Sequence, residues 1–183
     1  MVKIAVAGGS SNVAAEMIDV LVATGKHEIL LLSRKEASTD AAIQGTTWIQ
    51  VDYRSQAQLM HALKGVHTLL SFVTEQEDPD SPLQKNLIKA AIEVGVKRFA
   101  PNEWATSGVV SWYSYKSETR RYLQELNKEH QVIEYTLFQC GRMVGLAIAM
   151  VNPAFKMVIC LDSSLLLCFL SLRMFRVALI MFV

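Results

Sequence analysis

A glycine-containing turn at residues 8–14 is the part of the sequence best suited to bind an anion. Gly8 and Gly9 end a short apolar run, and Ser11 or Asn12 can cap the helix that follows. A sharp exit from a strand needs a residue without a Cβ, and helix N-terminal amides attract anions such as a pyrophosphate. The dinucleotide fingerprint G-x-x-G-x-x-G would place glycines at 8, 11 and 14, where this chain has Gly, Ser and Ala. The turn alone is therefore equally compatible with a dinucleotide loop and with an ordinary tight turn.

An arginine after the second apolar run indicates which dinucleotide would bind. Arg34 follows Ser33 and the apolar residues 28–32. At this position an acidic residue binds the ribose 2′-hydroxyl of NAD, whereas an arginine binds the 2′-phosphate of NADP. The guanidinium fork also matches the geometry of phosphate oxygens. The sequence therefore favours NADP as cofactor, with NAD as the other possibility, over a solvated loop arginine.

The elements that would position these residues alternate between strand and helix. Apolar runs predict strands at 2–7, 28–32, 47–51, 66–73, 97–100 and 132–138, with helices near 12–24, 56–63, 81–94 and 115–129. Because the strands are apolar throughout rather than at every second residue, they predict a parallel sheet covered on both faces. We expect an α/β fold, a Rossmann-type doubly wound parallel sheet, as one domain over residues 1–145.

Charge, cysteines and histidines narrow the possible functions. A formal net charge of +1 provides no strong electrostatic attraction to nucleic acid, so no direct nucleic-acid binding is expected. The three cysteines, Cys140, Cys160 and Cys168, have neither CxxC nor metal-type spacing, and the four histidines are scattered. We therefore expect no metal site. The absence of a secretory leader before the first strand predicts a cytoplasmic protein with reduced thiols.

Residues 146–183 form an atypical hydrophobic tail and predict no independent domain. From Met157 to Val183, 21 of 27 residues are apolar. A spanning helix needs about 20 consecutive apolar residues, and Asp162, Arg173 and Arg176 interrupt the run. The tail could be a membrane anchor, a helix packed on the sheet, or the atypical end of a truncated chain. The sequence favours the last interpretation and argues against membrane association through the tail.

Six short motifs occur in order along residues 1–145. They are Val-Ala-Gly-Gly-Ser-Ser-Asn-Val at 6–13, Leu-Ser-Arg at 32–34, Val-Asp-Tyr at 51–53, Leu-Lys-Gly-Val at 63–66, Lys-Arg-Phe-Ala-Pro-Asn-Glu-Trp at 97–104 and Tyr-Thr-Leu-Phe-Gln at 135–139. Together they resemble the NmrA-like group of atypical short-chain dehydrogenases, which includes isoflavone-reductase-like enzymes and fungal regulators that bind the cofactor without obvious turnover. The chain leaves the family pattern near Gly145, so the resemblance implies an NAD(P)-binding Rossmann domain whose substrate lobe is missing.

The resemblance also implies which residues form the cofactor site. The pyrophosphate loop would comprise Gly8, Gly9, Ser10, Ser11, Asn12 and Val13. Arg34 would hold the 2′-phosphate, and Phe72 and Val73 would line the cofactor. Pro101 and Asn102, with Glu103, would lie near the nicotinamide.

Lys116 and Tyr113 are the candidate catalytic residues. Lys116 falls where isoflavone-reductase-like enzymes keep their functional lysine, and it could hold ribose hydroxyls or relay a proton. The alternative is a solvated charge on an amphipathic helix. Ordinary short-chain dehydrogenases place a tyrosine four residues before this lysine. Here that position is Trp112, and Tyr113 lies three residues before the lysine, about one helical turn away.

Two functions remain open from the sequence. The first is an NADP-dependent oxidoreductase acting on a small organic substrate. The second is a non-catalytic NADP-sensing regulatory protein that binds a protein partner.

Overall fold

Strands and helices alternate along the described part of the chain, which in this computed structural model comprises residues 1–36, 43–74, 80–104, 114–138, 142–143 and 160–161. The main sheet contains β1 (Lys3–Ala7), β2 (Glu28–Ser33), β3 (Thr46–Gln50), β4 (Thr68–Ser71), β5 (Arg98–Ala100) and β6 (Glu134–Tyr135). The helices are α1 (Asn12–Ala23), α2 (Gln56–Leu63), α3 (Pro82–Glu93) and α4 (Ser114–Leu126). The predicted alternation of strands and helices is confirmed, and β6 is shorter than predicted.

The sheet is parallel throughout and has the strand order β3-β2-β1-β4-β5-β6. The chain first builds outward from β1 to β3 and then returns to the other side of β1 to build β4, β5 and β6. Ligands bind such sheets at the carboxyl ends of the strands where the order reverses, which here lies between β1 and β4. Ala7 is level with both Leu32 and Ser71, so the turns after β1, β2 and β4 meet at this edge.

Both faces of the sheet are buried, which explains the uninterrupted apolar strands. Successive side chains of a strand point to opposite faces. Ala5 and Ala7 therefore join the cluster that contains residues of α2 and α3, whereas Ile4 and Val6 join the cluster that contains residues of α1. All four side chains are fully buried. The doubly wound architecture expected from the sequence is thereby confirmed.

Two further short strands lie in the C-terminal region. β7 (Arg142–Met143) and β8 (Cys160–Leu161) pair antiparallel as a separate two-stranded sheet. The other residues from 139 to 183 lie outside the described part, so the interpretations of the hydrophobic tail stay predictions. In the described ranges, no helix combines the length and apolar character needed to cross a bilayer.

Candidate functional site

Gly8 occupies the turn directly after β1 in a conformation and a space that both require glycine. Its φ of +75° lies in the left-handed region. A Cβ at this position would lie 2.9 Å from the carbonyl carbon of Phe72 and 3.0 Å from the amide nitrogen of Val73. The backbone after β1 therefore packs directly against the backbone after β4, and no side chain fits between them.

Ser11 caps the helix that follows the turn. Its Oγ accepts a hydrogen bond from the Ala14 amide at 3.2 Å, and its carbonyl accepts from the Ala15 amide at 3.0 Å. Within the part of the chain that the structure describes, no group accepts from the amides of Asn12 and Val13. These two amides lie at the positive end of the helix dipole and can bind an anion in front of the turn. The serine at the second fingerprint position thus serves as the N-cap.

Tyr53 holds the Gly8 turn through a hydrogen bond, a role that the sequence motifs do not predict. Its Oη accepts from the Gly8 amide at 2.8 Å and donates to the Leu32 carbonyl at 2.7 Å. The side chain is 3% exposed. Burial raises the pKa of Tyr53 to about 12, although the Gly8 hydrogen bond and the charge of Arg34 act in the opposite direction. The only signal in the sequence was its place in the Val-Asp-Tyr motif.

A cavity of about 620 Å³ lies at the carboxyl ends of β2 and β3, and β2 is a neighbour of β1, the strand that ends in the Gly8 turn. It is lined by Arg34, Gln50, Val51, Asp52 and Gln58. The Gln50 Nε2 donates to the Arg34 carbonyl at 3.2 Å, and the Asp52 amide donates to the Gln58 Oε1 at 2.9 Å, so the backbone of the lining is held in place. The side chain of Arg34 is exposed. The guanidinium of Arg34 can therefore pair with a phosphate in the cavity. The carbonyl and carboxylate oxygens of the lining can accept hydrogen bonds from polar donors of a ligand.

Side-chain amides connect the segments after β4 and β5 on the other side of Gly8. The Val73 carbonyl accepts from the Asn102 Nδ2 at 2.7 Å and from the Gln84 Nε2 at 3.1 Å. Gln84 also donates to the Ser71 Oγ at 2.8 Å. The structure thus brings Val73 and Asn102, both predicted site residues, into contact at the carboxyl ends of β4 and β5.

The ring of Phe72 belongs to a buried aromatic stack. It stacks on Trp104 with ring centroids 4.4 Å apart, and Trp104 stacks on Phe138 at 5.1 Å. The Trp104 Nε1 donates to the Ser71 carbonyl at 2.6 Å, which ties the stack to β4. The family resemblance implies that Phe72 lines the cofactor. In the structure its backbone contacts the Gly8 turn, while its ring packs in the core.

Lys116 is buried in a narrow pocket between the end of β5 and α4. The pocket is lined by Gln84, Pro101, Asn102, Glu103, Tyr115, Lys116 and Thr119. Lys116 is 3% exposed, so the alternative of a solvated helix charge is wrong. The structure therefore brings Lys116 together with the predicted site residues Pro101 and Asn102. Tyr113 lies outside the described residues, so its pairing with Lys116 stays a prediction.

A buried ion pair fixes α4 against the segment that follows β5. The Arg120 Nε donates to the Glu103 Oε1 at 2.9 Å, and the Arg120 Nη2 donates to the Glu103 Oε2 at 2.6 Å. The Glu103 side chain is 1% exposed, and its hydrogen bonds raise the pKa of Arg120. Because Arg120 lies four residues after Lys116, the pair fixes the face of α4 that carries the lysine. The sequence predicts for Arg120 only a position on an amphipathic helix and no role in the site.

A parallel doubly wound sheet with a glycine turn at its first strand end defines a Rossmann-type domain. The model of the NmrA-like family matches residues 2–156, and the chain belongs to that family. The resemblance inferred from the sequence motifs is therefore confirmed.

Relatives and solved structures support the same assignment. Oxidoreductase BOA1 of Botryotinia fuckeliana is 33% identical over 152 residues, which cover 77% of this chain and 48% of that protein. The NADPH-dependent quinone oxidoreductase QOR2 from Escherichia coli, solved in complex with NADPH, superposes with a TM-score of 0.66 at 28% identity, covering 81% of this chain and 53% of that one. Triphenylmethane reductase from Citrobacter sp. superposes with a TM-score of 0.62 at 25% identity, covering 75% and 48%. The chain thus spans about half the length of the curated relatives it matches.

Proposed function

We propose that this chain is the cofactor-binding part of an NADP-dependent oxidoreductase that acts on a small organic molecule. The observation that carries the proposal is that the Arg34 cavity lies at the end of β2, the neighbour of the strand that ends in the Gly8 turn. Ala7 and Leu32 are level in the sheet, so the two features follow adjacent strand ends. One dinucleotide could therefore contact both of them. The NADPH in the solved Escherichia coli relative and the oxidoreductase names of the relatives support this proposal.

The residues present fit the chemical parts of NADP. The lack of space for a Cβ at Gly8 brings bare backbone to the crevice, and the amides of Asn12 and Val13 would hold the pyrophosphate. Arg34 would hold the 2′-phosphate, and its exposed guanidinium can form two parallel hydrogen bonds to phosphate oxygens. Asn102 lies beyond Gly8 on the side away from Arg34, where the nicotinamide end would lie. When bound, NADP supplies hydride transfer at the nicotinamide ring.

Lys116 would act at the nicotinamide end of the site. Lys116 lines the narrow pocket between β5 and α4 together with Pro101, Asn102 and Glu103. A buried ammonium in this place can hold a ribose hydroxyl or supply a proton to a reduced acceptor. The ion pair of Glu103 with Arg120 would keep α4 in the position that this role requires.

Cofactor choice should follow Arg34. Loss of a charge-assisted hydrogen bond costs about 1.5–3 kcal/mol, so Arg34→Ala is expected to weaken NADP binding about ten- to a hundredfold and to change NAD binding little. Calorimetric titration with both dinucleotides measures the difference. Arg54→Ala, which removes an exposed arginine that does not line the cavity, is the matched control. An equal loss of affinity for NAD and NADP in Arg34→Ala would contradict the 2′-phosphate assignment.

Replacing Lys116 should slow turnover much more than it weakens cofactor binding. Lys116→Met, which keeps most of the buried volume, is expected to slow substrate-dependent NADPH oxidation about a hundredfold or more while NADP binding survives. The acceptors to test are a quinone, a triphenylmethane dye and a simple carbonyl compound. Lys89→Met, at an exposed position of α3, is the control. Unchanged turnover in Lys116→Met would remove the lysine from the reaction. A wild-type chain that binds NADP without oxidising NADPH would favour the non-catalytic sensor instead.

A further inference from the structure

We propose that Tyr53 is a positioning residue for the dinucleotide turn. Its phenol would fix the orientation of the Gly8 peptide and thereby set the affinity for the pyrophosphate part of the cofactor, without touching the cofactor itself. This inference rests on the proposed NADP site and identifies a residue, far from the turn in sequence, on which that site depends.

The conformation of the Gly8 turn depends on contacts from other segments. Glycine has the largest backbone freedom of any residue, so a turn built on Gly8 needs external contacts to keep one conformation. The Gly8 amide has two acceptors, the Leu32 carbonyl at 3.1 Å and the Tyr53 Oη at 2.8 Å. The shorter of these two hydrogen bonds is the one to the phenol. Tyr53 therefore supplies a principal contact that orients this peptide.

The phenol of Tyr53 is itself held in place. Its proton goes to the Leu32 carbonyl at 2.7 Å, which leaves an oxygen lone pair for the Gly8 amide. The backbone of Tyr53 is also held, because the Asn86 Nδ2 of α3 donates to its carbonyl at 3.1 Å. With the ring 3% exposed, the hydroxyl has little freedom to leave the turn. A constrained acceptor of this kind can select one turn conformation.

Tyr53 directly follows two residues that line the cavity of the proposed 2′-phosphate site. Val51 and Asp52, which immediately precede it, line the Arg34 cavity. The segment 51–53 therefore contacts both parts of the proposed site, the cavity through its first two residues and the Gly8 turn through its third. The Tyr53 hydroxyl bonds to the Gly8 amide and the Leu32 carbonyl, whereas Tyr53 is not one of the described residues that line the cavity. Removal of the hydroxyl should therefore affect the two parts unequally.

The test compares two ligands on Tyr53→Phe, which removes only the hydroxyl. NADP would contact the turn and the cavity, whereas adenosine 2′-monophosphate carries only the phosphate that Arg34 would hold. We expect Tyr53→Phe to weaken NADP binding about three- to tenfold, the effect of one lost hydrogen bond, and to leave adenosine 2′-monophosphate binding unchanged. Arg34→Ala should weaken both ligands. Tyr122→Phe, which removes a half-buried phenol on α4, should weaken neither.

Hydrogen exchange of individual amides provides a second measurement in the ligand-free protein. The Gly8 amide should exchange faster in Tyr53→Phe, while the core amide of Ile4 should keep its wild-type rate. Equal acceleration of both amides would show a loss of global stability and would overturn the positioning role. Unchanged NADP affinity, an equal loss for both ligands, or a Tyr53→Phe variant that does not fold would also overturn it. A wild-type protein that binds no NADP would instead contradict the proposed function.

Discussion

Gly8→Ala is expected to abolish measurable NADP binding and to lower the free energy of unfolding by about 2–5 kcal/mol. The left-handed φ of +75° costs a residue with a Cβ about 1–2 kcal/mol. The new methyl group would also lie 2.9 Å from the Phe72 carbonyl carbon, and overpacking of this kind costs about 1–3 kcal/mol. Because the contact is with backbone, relief of the clash must move the end of β1 away from β4, where the cofactor would bind.

Gly65→Ala provides a matched control for this prediction. Gly65 has the same φ of +75°, but a Cβ there would have no neighbouring atom within 4 Å. The free energy of unfolding of Gly65→Ala should therefore fall only by the backbone cost of the left-handed φ, about 1–2 kcal/mol. This variant should bind NADP with wild-type affinity. Urea unfolding gives the stabilities and calorimetric titration gives the affinities. If Gly8→Ala were as mild as Gly65→Ala in both measurements, the close approach of β1 and β4 would be wrong.

Glu103→Ala is expected to lower the free energy of unfolding by up to about 3–5 kcal/mol, the cost of removing one partner from a fully buried ion pair. The carboxylate is 1% exposed and receives both hydrogen bonds from Arg120. Its loss would leave the guanidinium of Arg120, itself 23% exposed, without its counter-charge. The variant should also lose turnover, because α4 would no longer be fixed beside Lys116.

Glu134→Ala separates burial from charge in this prediction. Its pair with Arg98 at 3.1 Å is solvent-accessible, with side chains 47% and 31% exposed, so its removal should cost at most about 1 kcal/mol. The double variant Glu103→Leu with Arg120→Met should recover much of the stability, since an apolar pair can replace a buried ion pair. Thermal and urea unfolding measure all three proteins. Equal losses in Glu103→Ala and Glu134→Ala would show that the Glu103 pair has no special energetic role.

The amino-acid sequence by itself determined the architecture of the sheet. Strands such as residues 28–32 are apolar without alternation because both of their faces are covered, and this pattern predicts a parallel sheet before any contact is known. The roles of Gly8 in the turn and of Ser11 as N-cap could also be predicted, because a sharp turn and an N-cap depend on local sequence. The length of β6 could not be predicted from the sequence. The neighbouring strand β5 offers only Arg98–Ala100 for pairing, and β6 can extend no further than that.

Only the tertiary structure decided which side chains hold the site together. Tyr53 meets Gly8 across 45 positions and Arg120 meets Glu103 across 17, and neither separation has a local pattern that would predict it. The burial of Lys116 was likewise undecided, because an amphipathic helix can place a lysine in solvent or in a pocket, depending on what packs against it. Local sequence specifies the conformation of each segment, whereas hydrogen bonds between distant segments form only once the sheet has brought their strand ends together.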